Sequence, residues 1–368
     1  MIRTIKYPSI NQFRQTTKEI VDRTCFIGLD EDGKAQFDYL KPKPTVTFTA
    51  SEKIHGTNAG VCYSNPDGIW AQSRENIITP EKDNMGFAFF VEQNKDVFIN
   101  IIKELAQEHN INLDTHIISL YGEWAGGAIQ KNSALTGCDK VFVIFEHFKV
   151  SPVVPDEEGK SIWFKTISYS DFGVPYPDIT WSESPDNKIF NIMNFNTWSF
   201  EIDFNAPEKS QNELVKLVEE VIEPASPLGK EFGQESNIGE GIVCSYLTPD
   251  NALIQFKVKG EAHSTKSKVT TLKTVDLEKL NAIDECVEEI CHSWRFEQGL
   301  VAVFGSDYEN TLDRKRISEY LKFVGQDTIK EELDIVAKYG FEPKDVMGKV
   351  SQKAKEYFFA VENGTRCE

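Results

Sequence analysis

The sequence predicts an α+β protein, with an antiparallel-sheet core through most of the chain and a smaller all-helical domain at its C-terminal end. Three observations carry that expectation. Between residues 45 and 260, short runs alternate apolar and polar side chains, the period of half-buried strands. Asn65-Pro66-Asp67-Gly68 separates two such runs and is a strong turn signal, so residues 59 to 73 read as a hairpin. After about residue 270 the apolar spacing changes to three and four, the period of helices packed on one side.

The elements follow in order. The roughly forty residues before the first core strand remain unplaced. PTVTFTA, residues 44 to 50, sets Val46, Phe48 and Ala50 on one face, and AGVCYS and GIWAQS form the hairpin. NKDVFINIIKELAQEH spaces Val97, Ile101 and Leu105 four apart beside Phe98 and Ile102, a helix. IISLYGEW (117 to 124), VFVIFEHF (141 to 148) and SIWFKTIS (161 to 168) are strand candidates. NELVKLVEEVIE, 212 to 223, is a helix stopped by Pro224, and GIVCSY (241 to 246) and LIQFKVK (253 to 259) are further strands. In the tail, DLEKLNAIDECVEEICHSW carries Leu277, Leu280, Ile283, Val287, Ile290 and Trp294 as one helical stripe. More helices are expected around 313 to 339 and 351 to 361, separated by the Gly340-Phe341-Glu342-Pro343 break. Residues 151 to 160 and 224 to 239 read as surface loops, and the two domains are placed at 1–265 and 266–368.

A chain of 368 residues is long enough for roughly two domains, and 40% hydrophobic content supplies a substantial core. The opening MIRTIKYPSINQF has no secretory pattern and no apolar run reaches bilayer length, so a cytoplasmic protein without membrane partners is expected. Seven cysteines without a CxxC pair point to reduced thiols, not to a disulfide framework or a zinc site. A net charge of −18 argues against a protein that coats nucleic acid non-specifically. One stretch departs from that average: residues 257 to 273 hold five lysines against one glutamate.

Five short pieces could carry chemistry. In SEKIHGTN, Lys53 stands where a strand ends and Gly56 lets the backbone bend close to a ligand. A lysine that attacks phosphorus must be neutral, and burial or neighbouring positive charge favours that form. A lone K-x-x-G is common, and an exposed turn lysine has the same pattern. In QSREN, Arg74 follows the hairpin and suits a phosphate or a ribose, or plain solvent. In YGEWAGG, Glu123 precedes a glycine-rich turn and suits a ribose hydroxyl or magnesium, or again a surface turn. VFVIFEHF is an apolar strand interrupted by Glu146 and His147; its aromatics fit a core, and Phe145 would also suit stacking on a base. Glu240 precedes one strand, while Lys257 and Lys259, two apart on another, share a face. Two lysines on one face of an apolar strand are unfavourable unless solvent or an anion meets them.

Lys53-Ile54-His55-Gly56, Glu123 in Tyr-Gly-Glu, Phe145-Glu146, Glu240-Gly241 and Lys257-Val258-Lys259 fall in the order of the nucleotidyltransferase motifs of ATP-dependent ligases and capping enzymes. The wording Glu-Lys-Ile-His-Gly-Thr-Asn most resembles the phage-type RNA ligases of the RNA ligase 2 branch, over residues of about 45 to 260. DNA ligases and capping enzymes usually carry aspartate where this chain has His55. Ser51 stands where members of the branch often have a basic residue.

The resemblance implies an ATP-grasp-like adenylation core and an RNA-repair enzyme that joins 3′-hydroxyl to 5′-phosphate RNA ends. It uses ATP and magnesium, with manganese as an alternative, and a monomer is expected. Lys53 would take AMP as a covalent lysyl-AMP, which passes to the RNA 5′ end before sealing. Lys257 and Lys259 would meet phosphate oxygens, and Glu240 with Glu123 would act through the metal or the ribose. Asn58 and Arg74 would serve the ribose and the 5′-phosphate, His55 would support the phosphates, Phe145 would stack on adenine, and Glu52 joins the nucleotide-binding set. A DNA ligase or a capping guanylyltransferase on the same core would need a small β-barrel after residue 260, which helical spacing from 276 onward argues against. A non-catalytic RNA-end-binding protein would have no need to keep Lys53, Glu240, Lys257 and Lys259 together.

Overall fold

A computed structural model describes residues 2–29, 33–155, 161–166, 183–184, 188–263 and 272–364. Lys266 and Lys268 of the lysine-rich stretch, and the end of the strand expected over 161 to 168, lie outside the described residues.

The strand Thr45–Glu52 forms as its alternation requires: Val46, Phe48 and Ala50 are buried, and Thr45 and Thr47 between them are exposed. The same period carries Glu52 to the buried side. This strand belongs to a five-stranded sheet ordered Asn11–Gln12, Leu253–Lys259, Gly241–Leu247, Thr45–Glu52, Thr197–Asp203. Gly241–Leu247 pairs antiparallel with both its neighbours, whereas Asn11–Gln12 runs parallel to Leu253–Lys259, with Asn11 opposite Phe256.

A nine-stranded sheet is built round the long strand His116–Ala125. The hairpin Thr57–Ser64 and Gly68–Ser73 turns where the Asn-Pro-Asp-Gly signal put it, with Gly68 at φ 72°. The helix Lys95–Glu108 buries Phe98, Ile101, Ile102 and Leu105 in one core with Ile118, Leu120 and Phe142 of this sheet. The expected single strand over 141 to 148 is two, Val141–Ile144 and His147–Pro152. Ile144 sits opposite Gly122 and Lys149 opposite Ser119, so five steps on one strand face three on its partner. The excess is a bulge at Phe145 and Glu146, which redirects both side chains.

Other boundaries also differ from expectation. The helix over 212 to 223 is an α-helix, Gln211–Leu217, that ends in a single π turn, Val218–Ile222. The loop after it contains a short helix, Pro227–Glu231, capped by the Ser226 hydroxyl. In the tail, Leu277–Ile290 stops short of Trp294, and a second helix, Ser293–Phe304, begins after a break at Cys291 and His292. Trp294 therefore leaves the apolar stripe: it is 55% exposed, stacked with His292 and covered by the Arg295 guanidinium. The unplaced start contains a helix, Phe13–Cys25, and a two-stranded hairpin, Phe26–Leu29 with Ala35–Phe37.

The chain divides into two compact units, each gathered from separated segments. The first holds Met1–Thr16, Val46–Ile202 and Asn212–Lys273, and the second holds Thr17–Thr45, Asp203–Gln211 and Thr274–Glu368. Inside the second, Tyr39 packs on Phe359 at 5.1 Å, and Lys349 pairs with Glu208 at 3.0 Å. Its helical core includes Leu300, Tyr320, Val324 and Phe358, and after Lys259 no strand occurs among the described residues. No helix among those residues is long and apolar enough to cross a membrane.

Candidate active site

The strand Thr45–Glu52 runs out at Lys53, whose backbone N–H donates to the Gly241 carbonyl at 2.8 Å. Gly241 has φ 147°, and a Cβ there would collide with the Val258 carbonyl, so only glycine lets these strand ends close on one another. In register, Gly241 faces Lys259. Three strand ends therefore deliver Lys53, Glu240 and Lys259 to one place.

Glu240 is the hub. Its carboxylate lies 2.6 Å from Lys53 Nζ, 2.5 Å from Lys259 Nζ and 3.2 Å from His55 Nδ1, and its side chain is 1% exposed. Burial alone would raise such a carboxyl, but His55, Lys53 and Lys259 outweigh it and hold Glu240 well below the ordinary carboxylate range. Glu123 accepts the Gly56 N–H at 3.0 Å. Burial pushes it up to about 7; Lys53 and the Gly56 amide pull it down, while the Glu240 charge pushes it up. Asn58 faces Glu123 across the strand pair and so shares its side of the sheet.

Lys257 is half-buried, and its ammonium makes no hydrogen bond or ion pair among the described residues. Burial lowers its pKa, and the charges of Lys259 and Lys53 lower it further. It is the cation here still open to an incoming anion. Arg74 is exposed, donates to the Ser9 hydroxyl at 2.6 Å and stays outside the lining of the adjoining cleft.

That cleft has a volume of about 480 Å³, with Lys53, Ile54, Glu123, Val243 and Phe145 in its walls. Tyr7 and Ile10, from the part of the chain that periodicity left unplaced, complete it. The Tyr7 ring lies 5.3 Å from Phe145, and its hydroxyl donates to Gln255 Oε1 at 2.7 Å. Gln255 Nε2 in turn donates to Ser245 Oγ at 2.9 Å. Glu146 also lines the cleft; burial pushes it up to about 7, against the pull of Lys165 3.3 Å away and of Thr49. Glu52 reaches the lining too, but one of its oxygens accepts from the Ser226 hydroxyl and the other from the Leu228 N–H at 2.9 Å.

The structure thus gathers Lys53, His55, Glu240 and Lys259 by direct contact, with Glu123 and Lys257 within electrostatic reach and Phe145 in the adjoining wall. Sequence reasoning gave no role to Tyr7, Ser226 or Gln255, and none to Glu146, although a carboxylate inside an apolar strand was the available signal. A cleft with aromatic walls and Lys53 in its lining, that lysine bonded to Glu240 and so linked to Lys259, suits a ligand with a flat ring and a polyphosphate.

The sequence profile of the RNA ligase family matches residues 46–259, which span every element of this site except the Tyr7 segment. A search of curated proteins finds no match. Among solved structures, a Naegleria gruberi RNA ligase with PPi is 15% identical, with a TM-score of 0.38 over 72% of this chain and 58% of that one. A variant of the same ligase with ATP and Mn is 14% identical, with a TM-score of 0.38 over 70% of this chain and 56% of that one. The chain thus spans less than two thirds of those ligases. With more than half its length matched by the family profile, the chain belongs to the RNA ligase family.

Proposed function

We propose that this protein is an ATP-dependent RNA ligase that joins 3′-hydroxyl and 5′-phosphate RNA ends through a lysyl-AMP, acting as a monomer in the cytoplasm. The observation that carries the reading is Lys53 in the wall of a cleft that Phe145 also lines, with its Nζ 2.6 Å from the buried Glu240. Lys53, its ammonium proton released to solvent, attacks the α-phosphorus of ATP, forming a P–N bond as the bond to the pyrophosphate oxygen breaks and the remaining excess proton on nitrogen leaves to solvent. An RNA 5′-phosphate oxygen then displaces Lys53 from the AMP phosphorus. Last, an RNA 3′-hydroxyl attacks the 5′-phosphorus, the strand is sealed and AMP leaves.

Such transfers need positioning and charge stabilisation more than covalent help. Lys257 and Lys259 supply charge for the phosphate oxygens, and Phe145 with Tyr7 holds the base. Glu240 is a poor proton acceptor, because Lys53, Lys259 and the hydrogen bond from His55 hold it ionised; its part is electrostatic. Among the described residues no cluster of three or more His, Cys, Asp or Glu could hold a metal. Glu123 and Glu240 would nonetheless hold a magnesium ion, since the Glu240 charge raises the cost of ionising Glu123 and a dication would relieve it. Bound there, magnesium would neutralise phosphate charge.

The test is incubation with α-labelled ATP and magnesium, with GTP alongside. Label bound to the wild-type protein from ATP, and none on Lys53→Ala, is expected. An unlabelled wild type would leave a silent RNA-end-binding protein; label from GTP would point to capping chemistry.

A further inference from the structure

Glu52 stands directly before the proposed nucleophile, and although the residue reaches the cleft lining, both its carboxylate oxygens are engaged by the protein. One oxygen accepts from the Ser226 hydroxyl, the other from the Leu228 N–H at 2.9 Å, and the residue is 4% exposed. Ser226 is tied in turn: its N–H donates to the Asn237 carbonyl at 2.7 Å, and its hydroxyl accepts from the Gly229 N–H at 2.8 Å. The loop held this way is the one that leads into Glu240. Gly239, the residue before Glu240, packs against the same carboxylate; a Cβ there would come within 2.9 Å of Glu52 Oε1 and would collide with Ile222. On the far side, the Lys53 N–H is bonded to the Gly241 carbonyl. Residues 239 to 241 are therefore braced from below by the Glu52 side chain and from the side by the Lys53 backbone.

We infer that Glu52 is a positioning residue: through Ser226, Leu228 and Gly239 it sets where the Glu240 carboxylate stands relative to Lys53, without touching the nucleotide. The inference rests on the lysyl-AMP reading of the site and replaces the expectation that Glu52 binds the cofactor. In chemical terms, each oxygen of the carboxylate already holds one donor, and at 4% exposure its remaining lone pairs have little open approach. A nucleotide group arriving from the cleft would have to break one of those bonds to be recognised.

The experiment is single-turnover labelling with α-labelled ATP, at several ATP concentrations, on Glu52→Gln, Glu52→Ala and Ser226→Ala, with thermal melts of each. Labelling of the wild type is the control, and its absence would overturn the underlying reading and this inference with it. With a labelled wild type, Glu52→Ala should lower the saturating rate by about a hundredfold, the scale of a small misplacement at a phosphoryl-transfer site, with half-saturating ATP within about twofold. Ser226→Ala, which keeps the Leu228 bond, should lose less in the same parameter. The double variant should be no slower than Glu52→Ala alone, because both changes act through one brace. Raised half-saturating ATP at an unchanged maximal rate would make Glu52 a nucleotide contact and overturn the inference, as would wild-type rates in all variants. If Glu52→Ala does not fold, Glu52→Gln and Ser226→Ala decide by the same split.

Discussion

A carboxyl group in the wall of the cleft makes Glu146 a probe of the protonation state inside. Its folded-state value of about 7 lies above the ordinary 4.5, so the folded protein holds that proton more tightly than the unfolded chain does. The stability this contributes is complete below about pH 4.5 and is lost as the pH rises through 7. Glu146→Gln mimics the protonated form at every pH. Its melting temperature relative to wild type should therefore climb between pH 4.5 and 7 and level off above; a flat difference would place the carboxyl in solvent. Lys257 makes the opposite case, a cation with no ion pair among the described residues. Lys257→Ala should slow lysyl-AMP formation by about 10² to 10³, the scale of losing one preorganised charge, and more ATP should not restore it. Full rescue at high ATP would reduce Lys257 to a binding contact. The Lys257 and Lys259 pair was legible in the sequence, because an apolar strand with lysines two apart turns both to one face. Glu52 was not: its partner hydroxyl is 174 residues away, and nothing in EKIHGTN says which donors will meet it.

At the level of strands and turns, the site depends on three strand ends closing at Gly241. Its φ of 147° and the nearby Val258 carbonyl leave no space for a side chain. Gly241→Ala should cost about 1–3 kcal/mol in chemical unfolding from backbone strain and should abolish labelling by separating Glu240 from Lys53. A stable variant that labels normally would show that this junction tolerates more slack than its geometry implies. Strands such as Thr45–Glu52 could be read because one face is buried and the other wet, and the hairpin because its turn needs particular residues. Two elements resisted for the same reason in reverse. The bulge at Phe145 and Glu146 inserts no turn residue, and the helix break at Cys291 and His292 has no glycine or proline, so the apolar spacing reads straight through to Trp294.

For the molecule as a whole, the charge of −18 is not confined to the part that carries the candidate site: residues 274 to 368 hold twenty acidic against thirteen basic residues. RNA must then be gripped at few points, and its affinity should fall only gently with salt. We propose that the second unit contributes to that grip. A chain ending at Val275 should keep labelling with AMP but lose at least about tenfold in joining 5′-phosphate RNA, for want of footprint beyond the nucleotide pocket. It should also bind a hydrophobic dye, because Tyr39 loses Phe359 and Lys355. Joining at the full-length rate would remove the unit from RNA engagement. That residues 17–45 and 203–211 belong with the tail could not be read from periodicity, since contacts between distant segments leave no local pattern. The Tyr7 segment is the extreme instance, and it has a meaning during synthesis. Tyr7 emerges from the ribosome 248 residues ahead of Gln255, its hydrogen-bond partner, and Asn11 must likewise wait for Phe256. At about 5–20 residues per second, that wait is on the order of ten to fifty seconds. Until then the earliest-made wall of the cleft leans on Tyr121, Phe145 and Trp163 but lacks its strand partner and the Gln255 bond, so a nascent chain stalled before Leu253 should be unable to hold ATP, however much of its sheet has formed.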